Sequence, residues 1–157
     1  MIEKDSELAD WRLRIIGYGR SEEHYKAFVK THNLMRVSFE GVQDPELYYK
    51  NASILMQTSN AEGWGLTLTE AQQFACVPVA FNSYESISEI IVDRENGFSV
   101  PNNNICKYIK TLSTLMKNGA LREKMAENAV ESSKRFKQDK IMEQWYHLFQ
   151  EVLKQAI

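Results

Sequence analysis

Residues 53–81 read SILMQTSNAEGWGLTLTEAQQFACVPVAF. The run SILMQTS (53–59) is short and apolar and gives way to a polar, glycine-containing turn, which marks a buried strand. GLTLTEAQQFA (65–75) follows the turn as a helix, and VPVAF (77–81) is a second continuous apolar run. Strand, turn, helix and strand in so short a stretch form a βαβ unit, whose strands run parallel with a right-handed crossover.

The same alternation extends both ways. Upstream, Leu13 to Ile16 form an apolar run that stops at glycines, and Ser21 to about His32 carry Tyr25, Phe28 and Val29 at helical spacing behind a capping serine and two acids. VSFEG (37–41) reads as a strand and DPELYYKN (44–51) as a short helix, with Asp44 as cap and Pro45 in the first helical position. Downstream, SISEIIV (86–92) reads as a short helix and FSV (98–100) as a last strand. The fold class expected is α/β, a Rossmann-like parallel sheet with helices on both faces. The final third is helical, with one helix stopped at Asn118-Gly119, a second over about 121–134 and a third over about 139–155. The third is expected to bury Ile141, Trp145, Leu148, Phe149, Val152 and Leu153 on one stripe.

Length and composition bound the function. The 157 residues suit one domain, residues 1–157, and 43% apolar with 25% charged residues is the balance of a soluble globular protein. A net charge of −2 offers no broad basic field, so nucleic acid is not an expected partner. Cys76 and Cys106 lack CxxC spacing and His24, His32 and His147 do not cluster, so neither a metal site nor a disulfide is indicated, and a cytoplasmic setting fits.

In open parallel sheets a ligand sits outside the carboxyl ends of the strands, where loops lead into helix amino termini. AEGWGLTLTEA (61–71) occupies such a place. Its helix start offers free N–H groups to a phosphate or diphosphate, and Gly63 and Gly65 let a ligand approach the backbone. Glu70 falls about one turn along the helix, roughly 6 Å from its start, a distance that suits the ribose next to a diphosphate. Glu62 lies before the turn, where it can face the group transferred.

EGWGLTLTEA resembles the E-x7-E motif in the donor-binding domain of retaining glycosyltransferases of the GT-B architecture, the glycogen-synthase-like group 1 enzymes. WRLRIIGYG, VSFEGVQD, NASILMQTSNAEGWG, VPVAFNSYESISEIIVDRENGFSVP and RFKQDKIMEQWYHLFQEVL are similar, in this order, to further parts of that domain. The resemblance implies a nucleoside diphosphate sugar as donor, a hydroxyl acceptor in polysaccharide or glycolipid synthesis, and no bound metal or other cofactor. It implies that Glu70 holds the ribose, that Glu62 contacts the transferred sugar as the catalytic residue, and that Gly63, Trp64, Gly65, Leu66 and Thr67 bind sugar and phosphates. Gly17 and Gly19 would border the cleft, with the base near Gly41 and Val42; Thr69 reads as an ordinary helix residue.

Parts of the pattern are missing. The arginine and lysine that neutralise the diphosphate in this family precede the L-x-I-x-G-x-G segment, and so does the family's first strand of the domain; neither is in this chain. The acceptor-binding amino-terminal domain is also absent from it. The strands at 13–16 and 53–57 are then expected to pair directly, or to have their gap filled by a partner, which would favour a homo-oligomer. For a full-length enzyme the resemblance allows a peripheral place on the inner face of the membrane. EAQQFACVP carries Ala75 and Cys76 where the family often has glycine, and FNSYESISEII lacks the family's paired glycines. A non-catalytic nucleotide-binding module, an epimerase or phosphorylase of the same fold, and a protein-interaction domain are the rival readings.

Overall fold

The computed structural model describes residues 2–155. After a 3-10 turn at Ser6–Leu8, the elements are β1 (Leu13–Ile16), α1 (Glu22–Thr31), β2 (Val37–Gly41), α2 (Pro45–Tyr49), β3 (Ile54–Gln57), α3 (Leu66–Gln73) and β4 (Val77–Asn82). They continue as α4 (Ile87–Ile90), β5 (Phe98–Pro101), α5 (Ile105–Lys117), α6 (Gly119–Ser133) and α7 (Gln138–Gln155), with a 3-10 turn at Lys134–Phe136 between the last two. Every strand pair is parallel.

The core forms around β4, whose side chains alternate between two covered faces. Val77, Val79 and Phe81 pack with Val100, Tyr108, Leu112, Leu115 and Met125, beneath α5 and α6. Ala80 faces the other way, toward Leu68 of α3 and Ile87 and Ile90 of α4. An apolar strand with no polar alternation is what burial on both faces requires, which is why VPVAF reads as a continuous run.

Local chemistry sets several boundaries. Asp44 accepts from the Glu46 N–H at 3.0 Å and starts α2 behind Pro45. Asn118 ends α5, and its side chain accepts from the Leu121 N–H at 3.0 Å to start α6, so one residue serves both helices. The polar amino terminus is better anchored than its composition suggests. Leu8 is fully buried, Lys117 Nζ lies 2.7 Å from Asp5 Oδ2 and 2.5 Å from Glu7 Oε2, and the Arg122 guanidinium lies over the Trp11 ring at 5.1 Å.

Two expectations are corrected. Of the two alternatives for β1 and β3, direct pairing is not formed: among the described residues β1 joins only β2, and β3–β4–β5 form a separate sheet. Unpaired edges flanked by exposed Ile15, Ile16 and Met56 mark the split. The second correction concerns α7, whose Trp145, Leu148, Phe149, Val152 and Leu153 are exposed rather than buried, with Ile141 only partly covered. The stripe has the spacing of a packed helix, but among the described residues only the turn at its start and the cleft with Trp64 and Glu89 adjoin it, at Ile141 and Trp145.

Candidate functional site

β3 ends at Gln57, and the backbone runs through Ser59 and Glu62 into the glycine turn before α3 begins at Leu66. Gly65 is the residue before the helix, with φ +90, a left-handed conformation that favours glycine. A Cβ built there would meet Tyr84 Oη at 2.6 Å, so backbone shape and space both select glycine. Gly63 has nothing within 4 Å of the position a Cβ would take, and its surroundings stay open.

The amino terminus of α3 is unfilled by any side-chain cap, so its first amides are available to a ligand. Leu66 and Thr67 are exposed at that end. Thr67 Oγ1 accepts from Gln57 Nε2 at 3.1 Å. Thr69 is buried and donates to the Leu66 carbonyl at 2.9 Å, an internal helix contact.

The two glutamates sit differently. Glu62 is exposed and accepts from Ser59 Oγ at 2.8 Å. Glu70, half-buried one turn into α3, accepts from Tyr49 Oη at 3.1 Å. Tyr49 itself is buried at the end of α2, and burial, followed by the Glu70 charge, pushes its phenol well above the usual range. The phenol therefore stays a hydrogen-bond donor at neutral pH and holds one oxygen of Glu70.

Gly17 and Gly41 close a second mouth, at the carboxyl ends of β1 and β2. Their φ values are +106 and +68, and the Gly17 N–H donates to the Gly41 carbonyl at 2.7 Å. Gly19 has open space around it, and Val42 is 73% exposed. Among the described residues no hydrogen bond joins this pair of glycines to the turn at 63–65. The link is indirect, through α2, whose Tyr49 reaches Glu70.

Trp64 packs against the 3-10 turn that precedes α7. It is 37% exposed and meets the Phe136 ring edge-on at 5.4 Å, in a cleft that Arg135, Ile141 and Trp145 also line. Arg135 brings a cation to this cleft, although its guanidinium already donates to the Glu89 carbonyl and lies over the Phe136 ring. Neither Arg135 nor the hydroxyls of Ser83, Tyr84 and Ser86, all bonded to the segment 57–64, stands out in the sequence. A tyrosine between serines gives no periodic signal, and only the fold brings the loop after β4 against the loop after β3.

The chain matches the model of the family described as glycosyl transferases group 1 over residues 2–132. An uncharacterized glycosyltransferase of Haemophilus influenzae is 33% identical over 138 residues, which are 87% of this chain and 39% of that protein. The poly(ribitol-phosphate) alpha-N-acetylglucosaminyltransferase of Staphylococcus aureus is 26% identical over 152 residues, or 95% of this chain and 30% of that one. Among solved structures, a single-substitution mutant of S. aureus TarM in complex with fondaparinux, alpha-GlcNAc-glycerol and UDP superimposes with a TM-score of 0.81 at 27% identity, over 88% of this chain and 29% of that one. The C-terminal domain of a group 1 glycosyl transferase (LpcC) from Francisella tularensis gives 0.75 at 28% identity, over 87% and 75% of the two chains. The chain spans 39% of the length of the Haemophilus relative and less of the Staphylococcus enzyme. The parallel strands, the glycine turn with its two glutamates and a match that runs from the first described residue into the last turn of α6 have one explanation: the chain belongs to the group 1 glycosyl transferases.

Proposed function

We propose that this chain is the donor-binding domain of a retaining glycosyltransferase, and that it holds a nucleoside diphosphate sugar whose sugar passes to a hydroxyl acceptor in polysaccharide or glycolipid synthesis. The observation that carries the reading is the placement of Glu70, held by Tyr49 one turn beyond the open amides of α3. A diphosphate on those amides leaves its ribose beside Glu70, whose carboxylate can accept from two vicinal hydroxyls. Glu62, exposed before the turn, then faces the sugar and stabilises positive charge as it develops at the anomeric carbon. The relatives support the donor class, because the TarM structure contains UDP and alpha-GlcNAc-glycerol.

The leaving diphosphate is stabilised by the amides of Gly63 to Thr67, without a bound metal, while Gly17 and Gly19 border the cleft and the base lies near Gly41 and Val42. The second wall of the cleft comes from polypeptide outside these residues, either an acceptor-binding domain of the same enzyme or a second copy filling the split between β1 and β3. The exposed stripe of α7 and the unpaired strand edges support this partner. The place of work is the cytoplasm, where nucleotide sugars are made.

Thermal-shift titration with UDP, GDP, ADP and CDP tests the reading. A ligand bound only by the folded state raises the melting temperature, by about 2.7 kcal/mol of added stability at one hundred times Kd. One of the four is expected to give a saturable rise; a flat response to all four at millimolar concentration would favour the protein-interaction reading instead.

A further inference from the structure

Three hydroxyls after β4 reach across to the segment that carries the glycine turn. Ser83 Oγ donates to the Ser59 carbonyl at 2.5 Å, Tyr84 Oη to Gln57 Oε1 at 2.6 Å, and Ser86 Oγ to the Trp64 carbonyl at 2.8 Å. The outer two brace backbone. Tyr84 does something different, because it bonds a side chain that bonds another.

A primary amide has an accepting end and a donating end. With Oε1 of Gln57 taken by the Tyr84 phenol, Nε2 is left to face Thr67, and it donates to Oγ1 at 3.1 Å. Thr67 therefore receives a proton on its oxygen and keeps its own. Among the described residues that proton has no acceptor, and the side chain is exposed at the start of α3. Were the amide reversed, its oxygen would draw the Thr67 proton inward and leave nothing to give a ligand. Reversal would also require the Tyr84 phenol to accept from Nε2 and find another place for its own proton. Burial, with the Glu62 charge adding, pushes that phenol up to about 12, so it remains a donor at neutral pH.

We infer that Tyr84 and Gln57 are positioning residues that aim the Thr67 hydroxyl proton at the diphosphate of the donor, where it makes a charge-assisted hydrogen bond. The inference rests on the site reading proposed above. It assigns a role to two residues outside the glycine turn and explains why the Tyr84 hydroxyl sits against Gly65, where any side chain would push it aside.

Calorimetric titration of the full chain with UDP, and with GDP in parallel, tests it in Tyr84→Phe, Thr67→Val, Thr67→Ser and the Tyr84→Phe/Thr67→Val double variant. Thr67→Val and Tyr84→Phe are each expected to weaken the diphosphate about fivefold, the worth of one ordinary hydrogen bond, while Thr67→Ser keeps the affinity. In the Thr67→Val background Tyr84→Phe should cost nothing more, because the proton it aims is already gone. A Tyr84→Phe loss of equal size in both backgrounds would make Tyr84 a mere packing residue and overturn the inference while leaving the site reading intact. A Thr67→Val variant that binds as well as the unaltered chain overturns it too. If the unaltered chain binds neither diphosphate, the site reading fails and the inference falls with it.

Discussion

At the scale of single residues, the two glutamates of the motif are separated by what holds them. Glu70 is gripped by a buried phenol and half-shielded, whereas Glu62 is exposed and, among the described residues, accepts a side-chain hydrogen bond from Ser59 alone. Their removal should therefore have different consequences. Glu70→Ala is expected to weaken UDP by about 1–3 kcal/mol through the loss of charged hydrogen bonds to the ribose, and Glu62→Ala to leave plain UDP nearly unchanged. Calorimetry on both variants checks this, and equal losses would reverse the assigned roles. The motif residues themselves are legible in the sequence because their spacing follows from chain geometry: eight positions span a turn and one helical turn wherever they fold. The grip of Tyr49 on Glu70 is not legible, since it crosses from one helix to another with twenty residues between them in the chain.

At the scale of elements, most of the chain obeys local rules. Asp44 with Pro45 starts α2, Asn118 separates two helices, and apolar runs become strands. The end of α3 strains the rules. Ala75 lies in the left-handed region at φ +60, with its N–H bonded to the Gln72 carbonyl at 3.2 Å, in a place that a glycine would occupy without strain. A left-handed alanine costs roughly 1–2 kcal/mol, while glycine costs about 0.5–1 kcal/mol more backbone entropy on folding. Strain wins. Because the Ala75 side chain is exposed and its methyl contributes little burial, Ala75→Gly should stabilise the protein by about 0.5–1 kcal/mol, read as a higher urea midpoint with unchanged slope. The helix α7 marks the opposite case, in which a correct helical period gave a wrong environment. Periodicity reports that one face is apolar; it does not say whether the surface that covers it belongs to the same chain.

At the scale of the whole molecule, the buried titratable groups bias stability toward the acid side of their own titration. Burial pushes the Cys76 thiol up from about 9 to about 12, and the phenols of Tyr49, Tyr84 and Tyr108 are raised by the same cause. In each case the folded chain retains a proton that the unfolded chain has released, so the stability is fully present below the unfolded value and is lost as pH rises toward the folded one. The urea midpoint is expected to hold between about pH 7 and 8.5 and to fall steadily above about pH 9, with a shallower fall in Cys76→Ala. A midpoint unchanged up to about pH 10.5 would contradict the burial of these groups. The sequence by itself determined the order of strands and helices, their parallel sense and the motif at the mouth of β3, because each follows from short-range periodicity, capping and the geometry of a βαβ crossover. Only the tertiary structure decided that β1 does not reach β3, that α7 leaves its apolar face uncovered, and that Tyr84, Gln57 and Thr67 meet. Those outcomes depend on which surfaces lie close in space across long stretches of chain, and local pattern carries no record of that distance.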